Sequence, residues 1–203
     1  MIYQFMKESI KNMAKPLKDV RFVVVDVETT GLDPEKERIC EISMIALKNL
    51  ESVSSFTSLI NPQIIIPPEV FMVHGIDNKM VEESPSFIDI ADTVMDFISG
   101  SVLVGHNIEF DFGFLKSEMK RAGYDIENFI LIDTVKLSRK IYTIENYKLK
   151  TVANYLNIQS DRFHRAEDDV EVTVKIFQNI IRTLKSDYGI DTLESLIEFI
   201  KKN

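Results

Sequence analysis

The chain is poor in cysteine, with Cys40 as the only one among 203 residues. A single cysteine excludes an intramolecular disulfide and a cysteine-clustered zinc site, and it favours a reducing compartment. Long apolar runs are also missing, so the sequence predicts no membrane-spanning helix. Residues 1–19 lack the continuous apolar segment and the small-residue cleavage site of a secretory signal. These absences favour a cytoplasmic protein without a membrane partner.

Basic residues are outnumbered, with 24 Lys and Arg against 32 Asp and Glu and a net charge of -8. Because Lys and Arg dominate contacts with phosphates, this deficit argues at first sight against a nucleic-acid partner. The distribution of charge matters more than its total, since acids that hold divalent cations do not repel phosphate.

One segment opposes the overall charge. Residues 136–150 contain five basic residues against one acid, with Tyr142 and Tyr147 among them. We expect this basic segment, including Lys148, to follow the backbone of a single nucleic-acid strand, with an aromatic ring available for stacking. A solvated helix surface is the alternative interpretation.

Apolar patterning predicts a mixed α/β fold in one domain, since 203 residues with 45% hydrophobic content can bury one sizeable core. Strands over 22–27, 38–47 and 53–60 are joined by connections too short for a crossover helix, so we expect an antiparallel meander. Apolar strands over 102–104 and 129–132 are each followed by a helical pattern, which predicts parallel additions to the sheet.

Helical periodicity predicts the layers that flank this sheet. A capping box at Ser86 opens one helix, which Gly100 stops. The predicted amphipathic segments cover residues 2–17, 87–98, 149–156 and 165–185 and the chain from Thr192. The two terminal segments have no assigned role; packing on the core and docking of a partner are both compatible with their pattern.

Two acids stand at the end of the first strand. Side chains two apart on a strand share a face, so Asp26 and Glu28 should project together. Two close carboxylates repel each other unless a cation lies between them. An isolated Asp-x-Glu is more often a strand that enters a polar turn, so this pair alone does not define a site.

Two further acids lie where apolar residues are expected. Asp111 falls in the apolar stripe of the helix after Gly105, and Asp169 falls in that of the last long helix. A buried charge is costly unless it is paired or binds a metal, and an all-oxygen set selects hard cations such as Mg²⁺ or Mn²⁺. With Asp26 and Glu28, these acids predict two cations about 3.5–4 Å apart, the arrangement that assists phosphodiester hydrolysis.

A nucleophilic water also needs a base. His164 precedes Asp169 by five residues, in the turn that enters the helix, and its ordinary pKa suits proton transfer. A lone histidine in a turn is more often a surface residue.

Three segments together resemble the motifs of a known family. Asp26-Val27-Glu28-Thr29, Gly105-His106-Asn107 through Asp111, and His164 through Asp169 resemble the exonuclease motifs of the DnaQ-like DEDD superfamily, in its histidine-bearing branch. Val73-His74-Gly75-Ile76 resembles a motif of bacterial proofreading members such as the DNA polymerase III epsilon subunit and the PolC exonuclease domain. The resemblance covers roughly residues 20–184.

The resemblance implies a ribonuclease H-like fold and metal-dependent 3′-to-5′ hydrolysis of single-stranded or frayed DNA ends to nucleoside monophosphates. It divides the chain into a helical extension at 1–19, an exonuclease domain at 20–185 and a helical extension at 186–203. It also implies a DNA polymerase or helicase as partner or host polypeptide. By this resemblance, the metal ligands would be Asp26, Glu28, Asp111 and Asp169, and the general base would be His164. The resemblance also implies substrate contacts at Thr29, Thr30, His106 and Asn107.

Other functions are compatible with the same motifs. An exoribonuclease would use the same residues, because recognition of the 2′-OH depends on pocket details. His106 and Asn107 are equally compatible with a structural role, and Thr29 and Thr30 with capping a turn. A non-catalytic docking module should have lost a ligand or the base, and none is missing.

Overall fold

The computed structural model describes residues 14–159 and 165–202, and its centre is a sheet of five strands in the order β3-β2-β1-β4-β5. β1–β2 and β2–β3 pair antiparallel, and β1–β4 and β4–β5 pair parallel. The predicted meander with parallel additions is therefore confirmed. The strands are β1 (Phe22–Thr29), β2 (Ile39–Lys48), β3 (Glu51–Leu59), β4 (Val102–Gly105) and β5 (Leu131–Asp133).

Helices cover both faces of this sheet, and Phe87–Ile98 begins at the predicted capping box of Ser86 and Asp89. The helices are α1 (Pro68–His74), α2 (Asn78–Val81), α3 (Phe87–Ile98), α4 (Ile108–Arg121), α5 (Thr134–Ile141), α6 (Leu149–Tyr155), α7 (Ala166–Tyr188) and α8 (Leu193–Lys201). Among the residues described, no helix is both long enough and apolar enough to span a bilayer.

The central strand β1 separates two apolar clusters. Phe22 and Val24 face the cluster that includes α7, and Val23 and Val25 face the cluster that includes α3 and α4. Burial on both faces explains why β1 is a nearly continuous run of β-branched residues. The rings of Phe22 and Phe177 meet edge to face at 5.0 Å between centroids, which fixes α7 across the sheet.

All five strands differ from the sequence prediction by one or two residues at an end, and β1 and β5 show why. β1 continues past Val27 to Thr29, because its pairing with β2 extends through a bulge between Glu28 and Thr29. β5 begins at Leu131 rather than at residue 129, although the Ile130 carbonyl already accepts a hydrogen bond from the Leu103 N–H at 2.9 Å. Both differences concern strand ends, where pairing rather than composition sets the boundary.

The first described residues pair with the segment that precedes α8. Residues 2–13 of the helix predicted over 2–17 lie outside the described residues. The prediction is wrong for its last turn, because Pro16 is extended and forms an antiparallel bridge with Thr192. Proline has no N–H for a helical hydrogen bond, in keeping with an extended Pro16. From α8, Leu193 and Leu196 join the α7-side core. The C-terminal helix is thus packed against the sheet domain.

Candidate active site

The carboxyl end of β1 presents the first two acids. Alternation along the strand places Asp26 and Glu28 on the face that Phe22 and Val24 occupy, towards α7. Both acids are partly buried. The bulge after Glu28 ends the regular pairing with β2, and bulges of this kind redirect side chains next to active sites.

Asp111 reaches the same strand end from α4. β4 pairs with β1 only as far as Val24, so no strand of the described sheet covers this edge of β1 beyond that point. There the Val27 N–H donates to Asp111 Oδ1 at 3.1 Å. The Asp111 residue is only 4% exposed, as its place on the apolar stripe predicts. It is therefore hydrogen-bonded to the residue that separates Asp26 from Glu28.

The first turn of α7 supplies the fourth acid. Asp169 is buried on the same face as Ala166 and Thr173, whereas Glu167 and Glu171 are exposed. Carboxylate oxygens of Asp26, Glu28 and Asp169 all lie within 4.8 Å of one another. The structure thus brings three of the four predicted ligands into one cluster, with Asp111 anchored beside them.

Burial and mutual repulsion make these carboxyl groups reluctant to ionise together. The pKa of Asp26 is raised well above its ordinary value by burial and then by the charges of Asp111, Glu28 and Asp169. Burial, followed by the charge of Asp169, raises the pKa of Glu28 to about 8. Burial also raises the pKa of Asp111 to about 7, against the hydrogen bond from Val27.

This donor set fits divalent cations. It consists of carboxylate oxygens, which hard cations such as Mg²⁺ and Mn²⁺ prefer. A bound cation would reverse the repulsion that raises these pKa values and would stabilise the ionised form. The cluster of Asp26, Glu28 and Asp169 can therefore hold a metal ion.

The hydroxyl groups of Thr29 and Thr30 are engaged within the protein. Thr29 Oγ1 donates to the Gly31 carbonyl at 2.6 Å, and Thr30 Oγ1 donates to Glu37 Oε2 at 2.6 Å. Thr30 Oγ1 also accepts from the Arg38 N–H at 3.0 Å. These bonds shape the turn after β1, and they leave the Thr29 oxygen available as an acceptor rather than as a donor.

His106 and Asn107 form the junction between β4 and α4. The His106 ring nitrogens lie 2.8 Å from Thr134 Oγ1 and 2.8 Å from the Tyr147 carbonyl, so the ring joins β4 to the loop before α6. Burial lowers the His106 pKa. Asn107 is exposed in the left-handed region at φ 78°, which asparagine tolerates, and its N–H donates to Asp133 Oδ1.

The basic segment at 136–150 is partly engaged in local contacts. Lys136 pairs with Glu109 at 3.2 Å, and the Arg139 guanidinium lies 5.0 Å from the Tyr147 ring centroid. Lys140 contacts the carbonyl of Lys202. Lys148 is exposed immediately before α6. The predicted base, His164, lies outside the described residues.

Sequence reasoning missed Glu41, which lies beside Glu28 across the β1–β2 pairing. It is buried, and its carboxylate accepts from the Arg165 side chain and from the Ala166 N–H. The sequence signal that could have identified Glu41 is an acid inside the otherwise apolar run of β2. Its partner is 124 positions away in sequence, so no local pattern could identify the pair.

His74 ends α1 in the motif at 73–76. Its Nδ1 accepts from the Ile76 N–H at 3.0 Å, which assigns the proton to Nε2, 3.3 Å from the Thr29 carbonyl. Gly75 follows at φ 72°, the left-handed helix cap that glycine favours. The motif therefore connects the end of α1 to the end of β1.

Comparisons with known proteins agree with this geometry. Residues 23–177 match the Exonuclease family. The PolC-type DNA polymerase III of Caldanaerobacter subterraneus subsp. tengcongensis is 38% identical over 176 residues, 86% of this chain and 12% of that protein. The 3′-5′ exonuclease DinG of Bacillus subtilis is 40% identical over 167 residues, 81% of this chain and 18% of that protein.

A third relative matches along almost its whole length. The DNA polymerase III subunit epsilon of Aquifex aeolicus is 31% identical over 195 residues, 94% of this chain and 96% of that protein. The chain belongs to the Exonuclease family, and the predicted relationship to the DnaQ-like DEDD superfamily is confirmed. It spans less than a fifth of the PolC-type and DinG relatives.

Solved structures share the fold. Exonuclease X in complex with 5′ overhanging duplex DNA has a TM-score of 0.67 at 22% identity, over 86% of this chain and 99% of that chain. The zinc-bound complex of E. coli exonuclease I with single-stranded DNA has a TM-score of 0.75 at 16% identity, over 84% of this chain and 42% of that chain. The predicted ribonuclease H-like sheet is therefore confirmed.

Proposed function

We propose that this chain is a metal-dependent exonuclease that shortens single-stranded or frayed DNA from the 3′ end and releases nucleoside monophosphates. The observation that carries the proposal is the cluster of Asp26, Glu28 and Asp169, within 4.8 Å of one another, with Asp111 bonded to Val27 beside it. A buried set of acids is costly for a fold and is explained when the acids hold cations.

Asp26, Glu28, Asp111 and Asp169 would hold two divalent cations, Mg²⁺ or Mn²⁺. When bound, these would stabilise negative charge on the attacking and leaving oxygens of the phosphodiester. The scissile phosphate is proposed to lie at this end of β1, where Asp111 of α4 and Asp169 of α7 come close to the acids of the strand.

The remaining roles belong to side chains around the cluster. His164 is the proposed base that accepts a proton from the attacking water, and its ordinary pKa suits that transfer near neutral pH. Thr29 and Asn107 are proposed to contact the terminal nucleotide, and Thr30, whose hydroxyl is bonded to Glu37 and to the Arg38 N–H, is assigned to the turn after β1. Because both of its ring nitrogens are engaged, we assign His106 the support of the β4 end and of the Tyr147–Lys148 loop.

DNA is proposed over RNA because the PolC-type and epsilon relatives are DNA polymerase III proteins by name. Their names also support a DNA polymerase as partner. A helicase is the alternative partner that we propose. We also propose a cytoplasmic location, which the single cysteine supports.

A time course on 5′-labelled single-stranded DNA and RNA of matched sequence tests the proposal. Wild-type protein and His164→Ala are compared with Mg²⁺, with Mn²⁺ and with a chelator. We expect a ladder of stepwise shortened DNA that requires metal and is strongly weakened in His164→Ala. Preferential shortening of RNA would replace DNA with RNA as substrate, and no shortening of either by folded protein would overturn the proposal.

A further inference from the structure

Glu41 occupies an unfavourable place unless it has a cationic partner. The β1–β2 register sets it directly opposite Glu28, and like charges at such a position repel. Its side chain is only 2% exposed, so water does not screen the repulsion. A buried acid of this kind needs hydrogen-bond donors or a cation from elsewhere in the fold.

Arg165 supplies the cation. Its Nη2 lies 2.5 Å from Glu41 Oε1, and its Nε lies 3.2 Å and 3.1 Å from the two carboxylate oxygens. This two-nitrogen approach fixes the orientation of the guanidinium as well as its distance. Since Glu41 belongs to the central part of the sheet, the contact ties Arg165 to a rigid element.

The same carboxylate also caps α7. The Ala166 N–H, the first of that helix, donates to Glu41 Oε2 at 2.9 Å. Helices begin with N–H groups that have no partner inside the helix, and such groups usually bond to a nearby side chain. Within the described residues, the side chain of Arg165 makes no cap of its own, so β2 provides the cap from across the fold.

Arg165 is connected to Asp169 through the backbone of α7. Its carbonyl accepts the first helical hydrogen bond from the Asp169 N–H at 3.0 Å. Fixing Arg165 therefore restricts the backbone of Asp169, the acid that α7 contributes to the cluster.

We propose that the Glu41–Arg165 ion pair is a positioning device that holds the first turn of α7 so that Asp169 meets Asp26 and Glu28 correctly. The inference rests on the proposed exonuclease function. Neither residue of the pair is assigned a contact with substrate. The pair acts through the backbone of the first turn of α7.

Kinetics of Glu41→Gln and Arg165→Gln on single-stranded DNA test this role. We expect kcat to fall about 10- to 100-fold and the metal concentration for half-maximal rate to rise, as for other residues that orient metal ligands. The KM for DNA should change less than about threefold, because substrate contacts are retained. Arg165→Lys should recover part of kcat, since it keeps the charge but loses the planar fork.

Glu118→Gln is a matched control. Glu118 is fully buried and pairs with Arg38 at 2.6 Å, so its replacement costs stability in the same way but lies on α4. We expect a lower melting temperature with kcat and metal dependence retained. If Glu41→Gln behaves like this control, with unchanged kcat and metal dependence in the folded protein, the pair is only structural and the inference is wrong.

Calorimetric titration with Mn²⁺ separates this inference from the proposed function. It reports metal affinity without any turnover. If wild-type protein hydrolyses no nucleic acid but binds Mn²⁺, weaker binding in Glu41→Gln than in Glu118→Gln would support positioning of the metal ligands while the exonuclease proposal fails. Equal affinity in both variants would overturn the positioning of Asp169.

Discussion

At the scale of single residues, the acids of the site reduce the stability of the fold that carries them. Burial raises the pKa of Asp26 most, and the charges of Asp111, Glu28 and Asp169 raise it further. Arg165 is the cation that lowers the Glu28 pKa, and it does not outweigh burial and three neighbouring acids. The same acids that suit a metal ion therefore lower the stability of the metal-free protein.

Asp26→Asn should stabilise the metal-free protein. The substitution keeps the size of the side chain and, at alkaline pH where the carboxyl groups of the cluster are ionised, removes a charge that repels three others. The melting temperature in chelator should therefore rise at alkaline pH. Wild-type protein should gain stability when Mn²⁺ is added, by mass action on the folded state, and Asp26→Asn should gain less. A lower melting temperature of Asp26→Asn in chelator at alkaline pH would contradict the repulsion.

The metal-free protein should also lose stability as pH rises from about 5 to about 8. The Glu28 pKa is about 8 and the Asp111 pKa is about 7 when folded, against about 4 in an unfolded chain. The folded state thus binds more protons in this range, and the free energy of unfolding falls as they are released. Urea titrations in chelator measure this slope.

Glu28→Gln is the comparison for that slope. Because it removes one of the groups with a raised pKa, its free energy of unfolding should fall less steeply between pH 5 and pH 8. Saturating Mn²⁺ should have a similar effect on wild-type protein, because the metal stabilises the ionised carboxylates. Equal slopes for wild-type and Glu28→Gln would show that Glu28 does not titrate as described.

At the scale of elements, the local sequence pattern predicts most strands and helices and the acids of the site, but not the contacts that hold those acids in place. β1 could be predicted because burial on both faces demands a β-branched run, and α7 because its apolar stripe is regular. Asp111 and Asp169 were visible as acids that interrupt such stripes. The Glu41–Arg165 contact could not be predicted, because it depends on the register between β1 and β2 and on where α7 begins.

The C-terminal helix provides a test of element packing. Leu196 of α8 is fully buried in the core on the α7 side. Leu196→Ala should lower the free energy of unfolding by about 2–5 kcal/mol through lost burial and a cavity. The exposed neighbour Glu198→Ala should change it by less than about 0.5 kcal/mol. Equal effects would show that α8 contributes no core packing.

At the scale of the whole molecule, an acidic protein must approach an acidic polymer. The net charge of -8 opposes this approach, and the basic segment at 136–150 is the local exception. Charge distribution on the surface decides long-range attraction, and salt screens it. The sequence predicts the basic segment but not its local partners, such as the contact of Arg139 with the Tyr147 ring.

Reversing two charges in this segment tests its contact with the substrate backbone. Lys148→Glu with Lys150→Glu should raise the KM for single-stranded DNA and reduce the slope of log affinity against log salt by about 0.7 for each lost phosphate contact. Lys185→Glu with Lys201→Glu makes the same change in net charge on exposed residues of α7 and α8. If both pairs behave alike, the segment does not follow the substrate.

We propose above that the buried acids hold the cations that make this chain a nuclease. The most direct measurement is metal-dependent release of nucleoside monophosphates from single-stranded DNA by Asp169→Asn and Glu171→Gln, two substitutions on α7 that differ in whether the acid faces the cluster. We predict at least about a hundredfold loss for Asp169→Asn and full activity for Glu171→Gln. Retained activity in folded Asp169→Asn would contradict the account.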